Sequence, residues 1–170
     1  ELPTVDILLD TSASMAVPDR TLNPYEALNE AEALGLVPAG LRDVSFRTAA
    51  DLLARVLDDA PSFVKALEPP VPGEAERREA QRGQALTAAT RHKEALAVVA
   101  PALAANPATA PGGAALADLL KATADALGGD AGAGEPLAAR WRDWQGTASS
   151  LAAQCLDLQR AADTALVAAA

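Results

Sequence analysis

The chain has 170 residues, half of them hydrophobic and 3% aromatic, with a net charge of −9 and an isoelectric point near 4.5. That length suffices for one domain with a real core. The acidity argues against nonspecific nucleic-acid binding, which needs Lys and Arg to neutralise phosphates. The single cysteine excludes an internal disulfide and leaves the compartment open, with an extracytoplasmic location compatible.

The apolar fraction is carried by alanine, the best helix former and a poor strand former. Gly and Pro gather between the Ala-rich stretches, where they punctuate. Residues 1–16 read in two ways. Val5-Asp6-Ile7-Leu8-Leu9-Asp10 suits a short buried strand. Alternatively, Thr4 caps a helix with Val5, Leu8, Leu9, Ser12, Met15 and Ala16 on one face. A loop to Pro24 precedes a short helix capped by Asn23 and running to about Leu36, ended by Gly35, Pro38 and Gly40.

The next helix spans 44–67, capped by Asp43 or Ser45. Its stripe is Phe46, Ala50, Leu53, Leu57, Ala60, Val64 and Leu67, and Pro61 should kink or split it. Glu68 to Gly73 is a Pro-rich break. A third helix covers 74–105, polar at first and then carrying Leu86, Ala89, Lys93, Leu96, Ala100 and Leu103. Residues 106–113 form a linker, and a fourth helix over 114–127 presents Leu116, Leu119, Leu120, Thr123 and Leu127. After a Gly-rich turn, the last helix spans 136–169 with a seam of Leu137, Trp141, Trp144, Ala148, Leu151, Cys155, Leu158, Ala162 and Leu166, near the 3.5-residue period.

Short linkers make sequential helices antiparallel neighbours. The expected fold is therefore all-α: an antiparallel, up-down four-helix bundle over 44–170, with residues 1–43 packing on it as one or two extra short helices, in a single domain. No apolar run reaches the ~18 residues of a membrane span. The start at Glu1 suits a processed protein or an excised piece of a longer one, and the apolar end Ala165–Ala170 suits either a run into a removed segment such as a membrane helix or a natural frayed terminus.

One motif points elsewhere. Val5 through Met15, with Asp10, Ser12 and Ser14 as Asp-x-Ser-x-Ser after a hydrophobic run, resembles the first strand and metal loop of von Willebrand factor A-type domains. The resemblance covers about 30 residues. It implies a doubly wound sheet and a Mg²⁺ on Asp10, Ser12 and Ser14, in a metal-dependent adhesion or hydrolytic domain. The same Asp-Thr-Ser resembles the opening of PIN-type nucleases.

The remaining candidates are few. His92 is the single histidine and lies beside the seam, as a surface or boundary residue. Cys155 sits on the seam as a buried small hydrophobe. No Cys-x-x-Cys or Glu-x-x-His spacing exists, and the Gly-rich run 128–134 lacks the Lys-Ser/Thr of a phosphate loop. Arg78 and Arg82 share a face one turn apart, with Arg91 further along. They suit a small anion or a partner's carboxylates, or pairing with Glu74, Glu76, Glu79 and Glu94. Trp141 and Trp144 suit core anchors or the lining of a ligand cleft. Together these features predict a non-catalytic binding module without a cofactor: a protein-interaction scaffold, or a ligand-sensing domain whose site lies near Trp141, Trp144 and residues 74–93. Its partner would be a protein or a small anion. Pairing of seams between chains would give a homo-oligomer.

Overall fold

The computed structural model describes residues 23–38, 40–69, 73, 75–129 and 134–169. The two readings of residues 1–16, and the Asp10, Ser12 and Ser14 motif with them, lie outside these residues. Among the described residues the secondary structure is helical, without strands. Five helices pack against one another: α1 (Pro24–Ala33), α2 (Ser45–Leu67), α3 (Ala75–Ala105), α4 (Ala110–Gly128) and α5 (Gly134–Ala169). The most extensive contacts join α2 to α5, α3 to α4 and α2 to α3. Smaller ones join α4 to α5, α1 to α5 and α2 to α4.

Local chemistry explains most helix ends. Asn23 Oδ1 accepts from the Glu26 N–H at 3.0 Å. The Glu26 carboxylate in turn accepts from the Asn23 N–H at 3.4 Å, so α1 opens on a capping box with Pro24 behind the cap. It closes three residues earlier than the sequence predicts. Gly35 takes a φ of +70°, and the Leu36 N–H reaches back to the Ala31 carbonyl at 2.8 Å, a Schellman closure that a side chain at position 35 would strain. Asp43 Oδ1 accepts from the Ser45 N–H at 2.8 Å at the start of α2. Bonding to the Ser45 side chain and then to its N–H holds this carboxyl below the usual range.

Two expectations about proline and glycine are corrected. Pro61 does not split α2, which continues as one helix to Leu67. The ring is exposed, so the turn it interrupts faces water, where a missing hydrogen bond costs least. The fourth helix starts at Ala110 rather than 114, with Pro111 and both glycines inside its first turn. Proline is tolerated there because the N–H it lacks has no helical partner. The glycines allow close approach: a Cβ on Gly112 would lie 2.8 Å from a Leu151 methyl on α5, and one on Gly113 would lie 3.2 Å from Leu103 on α3.

The core joins α2 to α5 around Phe63, Leu52, Leu53, Val56, Leu116, Leu120 and Trp141. The α4 face is buried as expected, at Leu116, Leu119, Leu120, Thr123 and Leu127. Three other stripes differ from expectation. On α2 the buried set includes Val56 and Phe63, while Phe46, Leu57 and Val64 are half-buried. On α3 it is Ala85, Ala89, His92, Leu96, Val99 and Leu103, and Lys93 is exposed. On α5 the seam holds through Cys155 and then passes to Gln159 and Asp163, leaving Leu158 and Leu166 half-buried and Ala162 exposed. Ala and Leu flank each stripe on both sides, so hydrophobicity alone leaves the rotation about the helix axis free by about one residue.

The polar end of the α5 stripe has a partner in Arg42, which is buried. Its Nε and Nη2 donate to the two carboxylate oxygens of Asp163 at 2.8 and 2.6 Å. Its Nη1 donates to Asn29 at 2.9 Å and to Glu32 at 3.1 Å, both on α1. Arg47 reaches the same two α1 side chains at 2.8 and 2.9 Å. Gln159 Nε2 donates to Asp163 at 3.0 Å and to the Asp43 carbonyl at 2.8 Å. The hydrogen bond to Asp163 holds the Arg42 guanidinium above its ordinary value against the cost of burial. Because α1 buries no residue of its own, this polar cluster is its main attachment.

Candidate functional site

Polar side chains converge on a cleft between α2 and α3. Asp59, Ser62 and Lys65 line one wall, and Gln81, Gln84, Ala85 and Ala88 line the other, around a volume of about 340 Å³. A more open hollow of about 630 Å³ adjoins it, sharing Asp59, Gln84 and Ala88 and reaching Thr87 and Arg91. Helical spacing puts these residues on one strip of each helix: Asp59, Ser62 and Lys65 recur every three residues, as do Gln81 and Gln84, with Ala88 four further on. The small alanines keep the floor low.

Asp59 is anchored at the inner edge. Its Oδ2 lies 2.7 Å from His92 Nε2 and 3.3 Å from Arg91 Nη2. His92 is 2% exposed, which corrects its expected surface or boundary position. The reason is the one-residue rotation of α3, which turns His92 inward and Lys93 out. The imidazole stands edge-on to Phe63, with ring centroids 6.3 Å apart. Phe63 packs at 4.9 Å on Trp141, and Trp141 at 5.5 Å on Trp144. A continuous line of rings thus runs from the cleft edge into the core. The Trp141 Nε1–H donates to Thr123 Oγ1 at 2.7 Å, and the Thr123 hydroxyl donates to the Leu119 carbonyl at 2.7 Å.

The predicted arginines occupy different surroundings. Arg78 donates to the carbonyls of Lys65, Glu68 and Pro69 at the C-terminal end of α2. Arg82 donates to the carbonyls of Leu127 at 2.9 Å, Ala126 at 3.1 Å and Gly129, at the end of α4. Each guanidinium therefore meets the negative end of a neighbouring helix, where unpaired carbonyls gather. Arg91 is the arginine that reaches the cleft, and its side chain is 70% exposed. Trp141 is fully buried and Trp144 is 7% exposed.

Sequence reasoning did not single out Asp59, Ser62, Lys65, Gln81 or Gln84. Their types are ordinary for a solvated helix face. The available signal was the short break at 68–73, which brings the end of α2 beside the start of α3 and puts residues near 59–65 opposite those near 80–92. Cys155 is buried, and burial pushes its thiol up. Among the described residues no group of three His, Cys, Asp or Glu side chains is arranged to hold a metal ion. No described helix is long and apolar enough to cross a membrane. No protein-family model matches this chain, and no curated protein or solved structure matches it either.

Proposed function

We propose that this chain is a non-catalytic helical-bundle binding module, in which α2 to α5 run up and down in turn and α1 packs on the bundle as an extra short helix. Its binding surface is the α2/α3 cleft. The module acts as an interaction scaffold or as a ligand-sensing domain. Arg91 stands at the mouth of the cleft. Arg78 and Arg82 stiffen its far end by tying α3 to the ends of α2 and α4. Trp141 and Trp144 back the ring line behind Asp59.

The observation that carries this reading is the concentration of unengaged polar groups in one concave surface. The side chains of Ser62, Lys65, Gln81 and Gln84 make no hydrogen bond or ion pair among the described residues. A folded core behind them provides a fixed platform, the usual setting of a ligand site.

The test is a titration of the folded protein with small organic acids, amines and amides. It is read by melting temperature and by backbone amide resonances. A ligand specific to the native state must raise the melting point, and binding in the cleft moves the resonances of Gln84, Ala85 and Ala88. A protein partner, if that is the occupant, loses its grip on a Gln84→Trp variant. No shift with any compound, together with unchanged partner capture by Gln84→Trp, sinks the cleft as the binding surface.

A further inference from the structure

Resting on that reading, we infer that the cleft takes a short-chain dicarboxylate, one carboxylate on Lys65 and the other on Arg91. Lys65, Arg91 and Asp59 are the charged residues of the lining. Two cations against one carboxylate leave the cleft net positive, in a chain whose net charge is −9. The Asp59 carboxylate is already met by His92 and Arg91, so the Arg91 guanidinium offsets part of its charge.

The cations are under-used. The Lys65 ammonium has no ion pair or hydrogen bond among the described residues. Arg91 commits one N–H of its five to Asp59, at 3.3 Å, which leaves an open fork of the kind that suits a carboxylate.

Spacing selects two carboxylates over one. Lys65 stands six residues beyond Asp59 on α2, about 9 Å along the axis at 1.5 Å per residue, and Asp59 marks the Arg91 end. Lys65 lines the first hollow and Arg91 the second, so the two cations serve different ends of the joined cleft and suit two carboxylates. Between them lie the Ala85 and Ala88 methyls, an apolar floor for a methylene chain, and the amide of Gln84, which both hollows share. The Lys65 hollow of about 340 Å³ and the Arg91 hollow of about 630 Å³ each fall within the roughly 300–1,000 Å³ of ligand sites.

Calorimetric titration of the full chain at low ionic strength tests this, with glutarate, acetate, glutaramide and 1,5-diaminopentane as probes. Glutarate is expected to bind, with acetate at least about tenfold weaker. Lys65→Gln and Arg91→Gln should each weaken glutarate about tenfold, as loss of one charge-assisted contact predicts. Both positions are exposed, so the variants keep the native helical circular dichroism. Raising the salt should weaken glutarate further. Acetate binding as tightly as glutarate overturns the proposal, as does full glutarate affinity in both variants. If glutaramide or the diamine binds instead, and Gln84→Trp abolishes that binding, the dicarboxylate is wrong while the cleft stands as a site. If no probe binds and Gln84→Trp also leaves partner capture unchanged, the dicarboxylate and the cleft fall together.

Discussion

At the scale of single residues, the decisive contacts are polar ones inside an apolar setting. Trp141 could have been sealed by shape alone, yet its indole N–H ends on Thr123 Oγ1 at 2.7 Å. That hydroxyl also spends its own proton on the Leu119 carbonyl, so one threonine satisfies a buried donor and fixes its own rotamer. Thr123→Val, nearly the same shape, strands the indole N–H without a partner. It should cost about 1–3 kcal/mol, measured by urea unfolding followed by tryptophan emission. A loss below about 0.5 kcal/mol would mean that the bond contributes little. Asp59 and His92 make a comparable pair at the cleft edge. There a buried ring takes its polar partner from an acid that also lines the cleft.

At the scale of elements, the helices are attached by different physics. α2, α4 and α5 meet through Leu, Phe and Trp, and burial of apolar area at roughly 25 cal/mol per Å² makes those contacts strong. α1 has no fully buried residue and is tied on by Asn29 and Glu32 to Arg42 and Arg47, and by Arg42 to Asp163. A buried ion pair adds little net stability, but removing one partner leaves the other charge uncompensated. Arg42→Ala should therefore cost about 3–5 kcal/mol and loosen α1, which keeps Arg47 as its remaining charged tie. In hydrogen exchange, the amides of 26–33 would lose protection while those of α2 to α4 keep theirs. The double variant Arg42→Met with Asp163→Leu should recover much of the global stability without restoring α1. Unchanged protection of α1 in Arg42→Ala would show that the Arg47 contacts suffice to hold it.

At the scale of the whole molecule, Cys155 on the α5 seam is fully buried, with its thiol pushed up by burial. Labelling of this thiol at neutral pH should await global opening, so its rate should follow the unfolding free energy through a denaturant series. Fast labelling at zero denaturant would reveal a local opening of α5. Composition and periodicity alone determined that the described residues are helical, and where their helices lie to within a few residues, because propensity and punctuation are local. They also identified the α4 face, where Leu on both edges of the stripe left no second choice. Tertiary structure alone decided three things. It set the rotation of α2 and α3, which turned His92 inward, because alanine-rich flanks are nearly degenerate until a neighbour packs against them. It replaced the apolar continuation of the α5 seam with Gln159 and Asp163, because Arg42, 121 residues away in the chain, supplies the charge that makes their burial tolerable. It assembled the cleft, because Asp59, Lys65, Gln84 and Arg91 are unremarkable on their own helices and acquire a common surface only where α2 and α3 meet.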